Sequence, residues 1–153
     1  MDTEKTIGAL RQFNEIYREM EHFYNKYAAD AGISPSAHCI LYDMHELGDG
    51  CLQVDLCRTS FLSKQTVHSS VRKLEQEGAL RLVPKGRGVQ LFLTEKGKQM
   101  MEEKIWPVIR AERAALRAMG EEQTGELLRL YRLFLSTLQQ EMNETTQNSE
   151  EDL

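Results

Sequence analysis

The residues of this chain best suited to bind a charged partner lie between positions 63 and 73. This stretch offers hydroxyl, amide, imidazole and basic side chains, and no acid occurs before Glu75. A helix start normally favours acidic side chains because of the helix dipole, yet here the first turn would contain Lys64. Such a start presents N–H groups and a cation to an anion. The candidate binding residues are Ser63, Lys64, Gln65, Thr66, His68, Ser69, Arg72 and Lys73.

An amphipathic helix must hold these side chains in place. Val67, Val71 and Leu74 follow the spacing i, i+4, i+7, which places them on one buried face and leaves the polar residues on the other. Ser63 is expected to cap this helix, and Gly78 to end it. A short helix at about 54–59 precedes it, and the turn between them, with Phe61 and Leu62 expected to plug it from inside, is too short for antiparallel packing. The pattern predicts a helix–turn–helix.

Residues 80–93 change to an alternating pattern. Leu80 and Leu82 alternate before the stretch 84–88, and Val89, Leu91 and Leu93 alternate after it. This pattern predicts a two-stranded hairpin that leans on the helices. Its tip would carry two further candidate binding residues, Lys85 and Arg87.

Long helices are predicted on both sides of this central part. One covers about 4–29, and a second begins at Ser34-Pro35 and runs to Leu47, with Leu47 facing inward. A third begins at Thr94 and is kinked by Pro107, and a fourth covers about 122–142. Because the outer helices have more apolar surface than the centre can cover, a two-fold homodimer is expected. Residues 145–153 are polar and acidic, which predicts a disordered tail.

The charge distribution favours a polyanionic partner more than the net charge does. The 153 residues carry a formal charge of −5. Residues 53–98, however, contain nine Lys or Arg and four acids, a balance of +5, so the remaining residues carry −10. No apolar run approaches the roughly 20 residues that span a bilayer, so we expect no membrane contact and a cytoplasmic location.

Other chemistries find less support in the sequence. Phosphate loops, G-x-S-x-G, H-E-x-x-H and paired C-x-x-C motifs are all missing, so neither an enzyme nor a cofactor is predicted. His38 and His45 lie two helical turns apart, too far for one metal ion even with Cys39 and Asp49 nearby. Reduced thiols are expected, and oxidant sensing stays open as a variant. The cysteines are Cys39, Cys51 and Cys57, of which Cys51 is predicted to be the least buried.

Taken together, the stretches LQVDLCRTSFLSKQTVHSSVRKLEQEGALRL and LFLTEKG resemble the MarR family of winged-helix transcription regulators. The resemblance implies a mainly α fold with a small β-hairpin. It implies a winged helix–turn–helix lobe at 34–93 and dimerisation helices at 1–33 and 94–144. It also implies that residues 63–73 form a recognition helix in a major groove, with Lys85 and Arg87 on the wing. The hairpin is shorter than is usual in the family and its tip KGRG lacks the usual acid, which leaves phosphate contact and minor-groove insertion both open.

The resulting hypothesis is a DNA-binding transcription regulator, expected to be a repressor. It would bind a pseudo-palindromic operator as a homodimer and be released by a small-molecule or redox signal. Gln65 could pair with adenine, and Arg72 with guanine or a phosphate. The alternative is a winged-helix module that binds another protein and no DNA, for which an apolar patch on the helix–turn–helix would be the signature.

Overall fold

The computed structural model describes residues 3–151 and the side chains of residues 3–145. It is mainly helical with one antiparallel hairpin, which confirms the predicted fold class. The chain forms two compact units, Met1–Val108 and Ile109–Leu153. In chain order the elements are α1 (Thr3–Asp30), α2 (Pro35–Leu47), α3 (Gln53–Thr59), α4 (Lys64–Gln76), β1 (Leu80–Lys85), β2 (Gly88–Leu93), α5 (Glu95–Met100), a π-helical turn (Met101–Ile105), α6 (Trp106–Met119) and α7 (Glu121–Glu151).

Three helices begin at the hydroxyl caps that the sequence predicts. The side chain of Ser34 accepts a hydrogen bond from the Ala37 N–H, and Pro35 takes the first helical position of α2. Ser63 caps α4, and Thr94 caps α5. Each cap satisfies an N–H group that has no partner within the helix. Local sequence therefore fixes where α4, the helix that contains most of the candidate binding residues, starts.

The core of the first unit lies among α2, α3, α4, the hairpin and the π-helical turn. Its largest fully buried side chains are Ile40, Leu41, Met44, Leu56, Leu74, Leu91, Ile105, Val67 and Val71. The three residues that predicted the amphipathic α4 are thus all buried. The prediction for Leu47 is wrong, because this residue at the end of α2 is 36% exposed.

The hairpin is longer and its turn tighter than the sequence suggests. Leu80 pairs with Leu93 and Lys85 with Gly88, so only Gly86 and Arg87 form the turn. Gly86 has a φ of 58° and Arg87 a negative φ, which is the pattern of a type II′ turn. Residues 50–52 extend the sheet, since the Gly50 N–H donates to the Leu91 carbonyl and the Leu91 N–H donates to the Cys51 carbonyl.

The start of α5 is fastened to the end of α4. The Thr94 hydroxyl donates to the carbonyl oxygen of Gly78 at 2.6 Å, and the Lys96 ammonium donates to that of Glu77 at 2.6 Å. Gly97 packs so closely that a Cβ atom there would lie 2.1 Å from the Ala79 carbonyl oxygen. These contacts fix the hairpin, and hence its basic tip, relative to α4.

The sequence predicts a kink at Pro107, and the structure has a π-helical turn immediately before it. Proline has no N–H to donate to the Glu103 carbonyl, which breaks the regular α-helical ladder. The Trp106 N–H instead donates to the carbonyl of Met101, five residues earlier. The chain resumes an α-helix at Trp106.

In the second unit, α7 continues further than the sequence suggests. It was predicted to end near residue 142, followed by a disordered tail at 145–153, but its backbone is helical as far as Glu151. No glycine or proline after Gly125 stops the helix. The side chains of residues 146–151, and residues 152 and 153 entirely, lie outside the described part.

Within residues 3–151, no helix is apolar over a length sufficient to span a membrane.

Candidate nucleic-acid interface

Helix α4 presents a polar stripe directly opposite its buried face. At 100° per residue, Gln65, Ser69, Arg72 and Gln76 follow the spacing i, i+4, i+7, i+11 and point away from Val67, Val71 and Leu74. All four outward residues are exposed. The stripe is continuous along the helix and contains no acid. It can therefore present amide, hydroxyl and guanidinium groups to one partner surface.

The first turn of α4 is ordered by its own side chains. The Ser63 hydroxyl accepts from the Thr66 N–H at 3.1 Å and lies 2.8 Å from the Thr66 hydroxyl. The Ser69 hydroxyl donates to the Thr66 carbonyl at 3.0 Å. Of the ten predicted site residues, Thr66 is the one that is half-buried, while the other nine are exposed. Ser63 and Thr66 thus hold the helix start in shape and leave contacts with a partner to Lys64 and Gln65.

The basic residues of α4 differ in whether an acid already neutralises them. Arg72 donates to the Glu75 carboxylate at 2.8 Å, and the Lys73 ammonium lies 4.0 Å from that of Glu77. Lys64 has no carboxylate within 4 Å in the described part of the chain. Because exposed ion pairs are worth only about 0.2–1 kcal/mol, a phosphate can replace either carboxylate. Lys64 can therefore bind a phosphate without first breaking an ion pair.

Helices α3 and α4 meet on the same exposed side through one polar contact. The Gln53 amide nitrogen lies 3.3 Å from Nδ1 of His68 and can donate to it when that nitrogen carries no proton. His68 is therefore oriented by a residue of the preceding helix. On α3 itself, Arg58 pairs with Asp55 at 3.3 Å.

The hairpin tip carries two further cations without acidic partners. Lys85 and Arg87 flank Gly86 and are exposed. No described carboxylate lies within 4 Å of either. Lower on the hairpin, the Arg81 guanidinium stacks 4.9 Å from the ring centroid of Phe92, its cross-strand neighbour. The tip is therefore a positively charged projection on a braced strand pair.

Two residues of this surface were missed or misjudged from the sequence. Gln76 completes the outward stripe, and the i, i+4, i+7, i+11 spacing would have revealed it. Phe61 was expected to plug the turn before α4, which is wrong, because its exposed fraction is 103%. The buried residue is Ser60, whose hydroxyl accepts from the Leu62 N–H at 3.2 Å. An extended backbone at Ser60 turns the next side chain to the opposite side.

Burial disfavours the thiolate form at two of the three cysteines. All three are half-buried, so Cys51 does not stand out as the predicted exposed candidate. Burial raises the pKa of the Cys39 thiol and that of Cys51. The Cys39 thiol donates to the Asp43 carboxylate at 3.8 Å and lies 3.7 Å from the Ser60 hydroxyl. A raised pKa leaves little thiolate at neutral pH, so oxidant sensing by these two thiols is disfavoured.

The histidines considered as metal ligands have packing roles instead. The His45 ring meets the Trp106 ring edge-on, with centroids 4.6 Å apart. The His38 ring meets that of Tyr27 at 5.9 Å. Among the residues that the structure describes, no three His, Cys, Asp or Glu side chains gather closely enough to hold a metal ion.

Comparison with known proteins gives one family match and many structural matches. The MarR family model matches residues 31–87, which run from the end of α1 to the hairpin tip. No curated protein matches the chain.

Three solved structures illustrate the structural match. Sco3205 from Streptomyces coelicolor, a MarR family regulator solved in complex with DNA, has a TM-score of 0.73 and 20% identity over 91% of each chain. A MarR regulator from Methanosarcina mazei Go1 gives 0.64 and 24%, covering 91% of this chain and 93% of the other. BpsR from Bordetella bronchiseptica, whose DNA binding is regulated by 6-hydroxynicotinic acid, gives 0.64 and 16%, covering 88% and 97%. At these identities the likeness establishes the fold.

Proposed function

We propose that this chain is a transcription regulator of the MarR family, whose model matches residues 31–87, and that it represses transcription by binding a pseudo-palindromic operator as a homodimer. The observation that carries the proposal is the acid-free outward stripe of α4, which starts beside the unneutralised Lys64. A helix of this size fits the major groove, where base edges differ in their donors and acceptors. Such a regulator would act in the cytoplasm, the location expected from the sequence.

The residues of the interface divide into two roles. Gln65 and Arg72 have side chains that can pair bidentately with adenine and guanine, and both lie on the outward stripe. Lys64, Lys85 and Arg87 are cations without acidic partners, so they are assigned to phosphates. The remaining predicted site residues complete this surface or hold the start of α4 in shape. They are Ser63, Thr66, His68, Ser69 and Lys73.

A second copy of the chain explains the apolar surface on the outer helices. On α1, Ile7, Leu10, Ile16, Tyr17, Met20 and Phe23 are each about half exposed. On α7, the exposed apolar residues are Leu127, Leu128, Leu130, Tyr131, Leu133, Phe134, Leu135, Leu138 and Met142. A monomer rarely leaves so much apolar surface in water. A two-fold dimer would cover it and hold two α4 helices about 34–36 Å apart, one turn of DNA.

Release from DNA would follow from a signal that changes this spacing. A ligand shifts the dimer only if it binds one arrangement better than the other. The regulation of BpsR by 6-hydroxynicotinic acid supports a small-molecule signal here. The raised thiol pKa values make a redox signal the weaker of the two options.

Selection of random duplexes by the purified protein tests the proposal. The expected product is an inverted repeat with half-site centres one helical turn apart. On that duplex, Gln65→Ala should cost about 1–3 kcal/mol and relax one position per half-site. Lys64→Ala and Arg87→Ala should weaken all sequences alike and reduce the salt slope by about 0.9 per lost phosphate contact. Lys98→Ala on α5 is the control. A monomer in light scattering, or no enrichment at low salt, would refute the proposal.

The protein-binding alternative has less to support it. Within residues 34–93 the large exposed apolar side chains are Leu47, Val54 and Phe61. These three are too few for the apolar core of a protein interface, and the outward stripe of α4 is polar.

A further inference from the structure

The side chain of Phe61 is the most exposed of the large apolar side chains described in this structure. Its exposed fraction is 103%, compared with 62% for Met142 and 61% for Ile16. Ile16 lies on α1 and Met142 on α7, among apolar neighbours on helices that the dimer would cover. Phe61 stands alone in the turn between α3 and α4. A single exposed apolar residue is not unusual, so its fixed position is what matters.

The turn holds Phe61 outward rather than leaving it free to fold back. Ser60 is buried, and its N–H donates to the Leu56 carbonyl at 2.9 Å. The Ser60 hydroxyl accepts from the Leu62 N–H at 3.2 Å and lies 3.7 Å from the Cys39 thiol on α2. Ser60 is thus tied to the protein interior and the Leu62 backbone is tied to Ser60, so Phe61 projects from a braced turn.

The position of Phe61 is continuous with the proposed DNA interface. It lies two residues before Ser63, the cap of α4, and three before the unpaired Lys64. Phe61 therefore lies close in the chain to the helix start that a polyanion would approach. The surrounding surface is cationic and polar, which suits DNA better than an apolar protein partner.

We propose that Phe61 is a specificity-determining residue that packs against the C5-methyl group of a thymine at the edge of each half-site. The C5-methyl is the apolar group that base edges present in the major groove, and aromatic side chains contact it. This inference rests on the proposed function, because it requires that α4 enters a major groove.

Single replacement of each thymine by deoxyuridine in the selected duplex tests the inference, because it removes only the methyl group. With the wild-type protein, one thymine per half-site should lose about fourfold in affinity, the worth of one buried methyl group. Phe61→Ala should bind the unmodified duplex more weakly and show no further loss at that thymine. Phe61→Leu should keep part of the methyl preference. Leu47→Ala, another exposed apolar residue of the same lobe, should behave like wild type.

The outcomes separate the two proposals. If wild-type protein binds no duplex, the proposed function fails, whatever Phe61 does. If wild type selects an operator but Phe61→Ala binds it unchanged, the inference about Phe61 is wrong. It is also wrong if Phe61→Ala weakens thymine and deoxyuridine duplexes by the same factor, since the ring would then touch only the sugar–phosphate backbone. Unchanged thermal melting of Phe61→Ala would show that the variant is folded.

Discussion

Replacing Glu75 by glutamine should tighten DNA binding. Glu75 is the acid nearest the outward stripe of α4, and its carboxylate holds the Arg72 guanidinium at 2.8 Å. Both side chains are partly exposed, at 53% for Arg72 and 32% for Glu75. In the free protein the pair stabilises the helix by about 0.3–0.5 kcal/mol. Arg72 must give up that contact to reach a base or phosphate.

The expected gain is the sum of two small terms. Freeing Arg72 removes the cost of breaking the pair, about 0.5 kcal/mol. A carboxylate about 8 Å from a phosphate in water repels it by about 0.5 kcal/mol, and glutamine abolishes that repulsion. Together they amount to about 1 kcal/mol, or roughly fivefold tighter binding at low salt. High salt should remove most of the second term.

Titration of the selected duplex by fluorescence anisotropy would measure this gain. The matched control is Glu95→Gln on α5, because Glu95 forms an i, i+3 pair with Lys98 at 2.7 Å and the charge change is the same. Combining Glu75→Gln with Arg72→Ala should retain only the repulsion term. Binding no tighter than wild type would refute the reasoning. Equal gains from Glu75→Gln and Glu95→Gln would refute it too, since net charge alone would then be responsible.

Four further predictions concern the scaffold. Gly97→Ala should lower the free energy of unfolding by about 1–3 kcal/mol, because the new Cβ would lie 2.1 Å from the Ala79 carbonyl oxygen. Urea titration would measure this loss. Gly125→Ala on α7, with nothing within 4 Å, should raise the free energy of unfolding by about 0.5–1 kcal/mol, and equal effects would contradict both. Because burial raises the pKa of the Cys39 thiol, a thiol-specific reagent should modify it more slowly at pH 7.5 than it modifies free cysteine, and fast modification would contradict this. Burial also raises the pKa of Asp43, so the folded state binds its proton more tightly than the unfolded state does. Stability should therefore fall as pH rises from its ordinary pKa of about 3.9 through the higher folded value, and Asp43→Asn should flatten that part of the pH profile.

Much of the fold could be predicted because its signals are local. The caps Ser34, Ser63 and Thr94 each accept from an N–H three residues later, so the short sequence around them is enough to place a helix start. Alternation of Leu80, Leu82 and Leu91 gave the hairpin, though not its two-residue turn. The π-helical turn before Pro107 was not predicted; the sequence predicted a kink there. Pro107 removes a hydrogen bond, but the neighbouring backbone decides how the ladder is restored.

The candidate site was also partly readable from the sequence. Helical periodicity placed Gln65, Ser69 and Arg72 on the outward face, and the charge count singled out the middle of the chain. Periodicity cannot show which basic side chains form ion pairs with carboxylates in the folded protein. The i, i+3 spacing of Arg72 and Glu75 does, however, indicate an ion pair. The contact between Gln53 and His68 joins two helices and depends on the angle at which they cross.

By itself, the sequence determined the helix starts, the presence of the hairpin and the polar face of α4, because each depends on residues a few positions apart. Tertiary structure alone decided that Ser60 turns inward beneath α2 and that Phe61 turns outward. The reason is that Ser60 finds polar neighbours, the half-buried Cys39 thiol and the buried Asp43 carboxyl, on a helix some twenty residues earlier. Hydrophobicity predicts that a phenylalanine is buried, but it cannot supply the partner that makes the adjacent serine the better residue to bury.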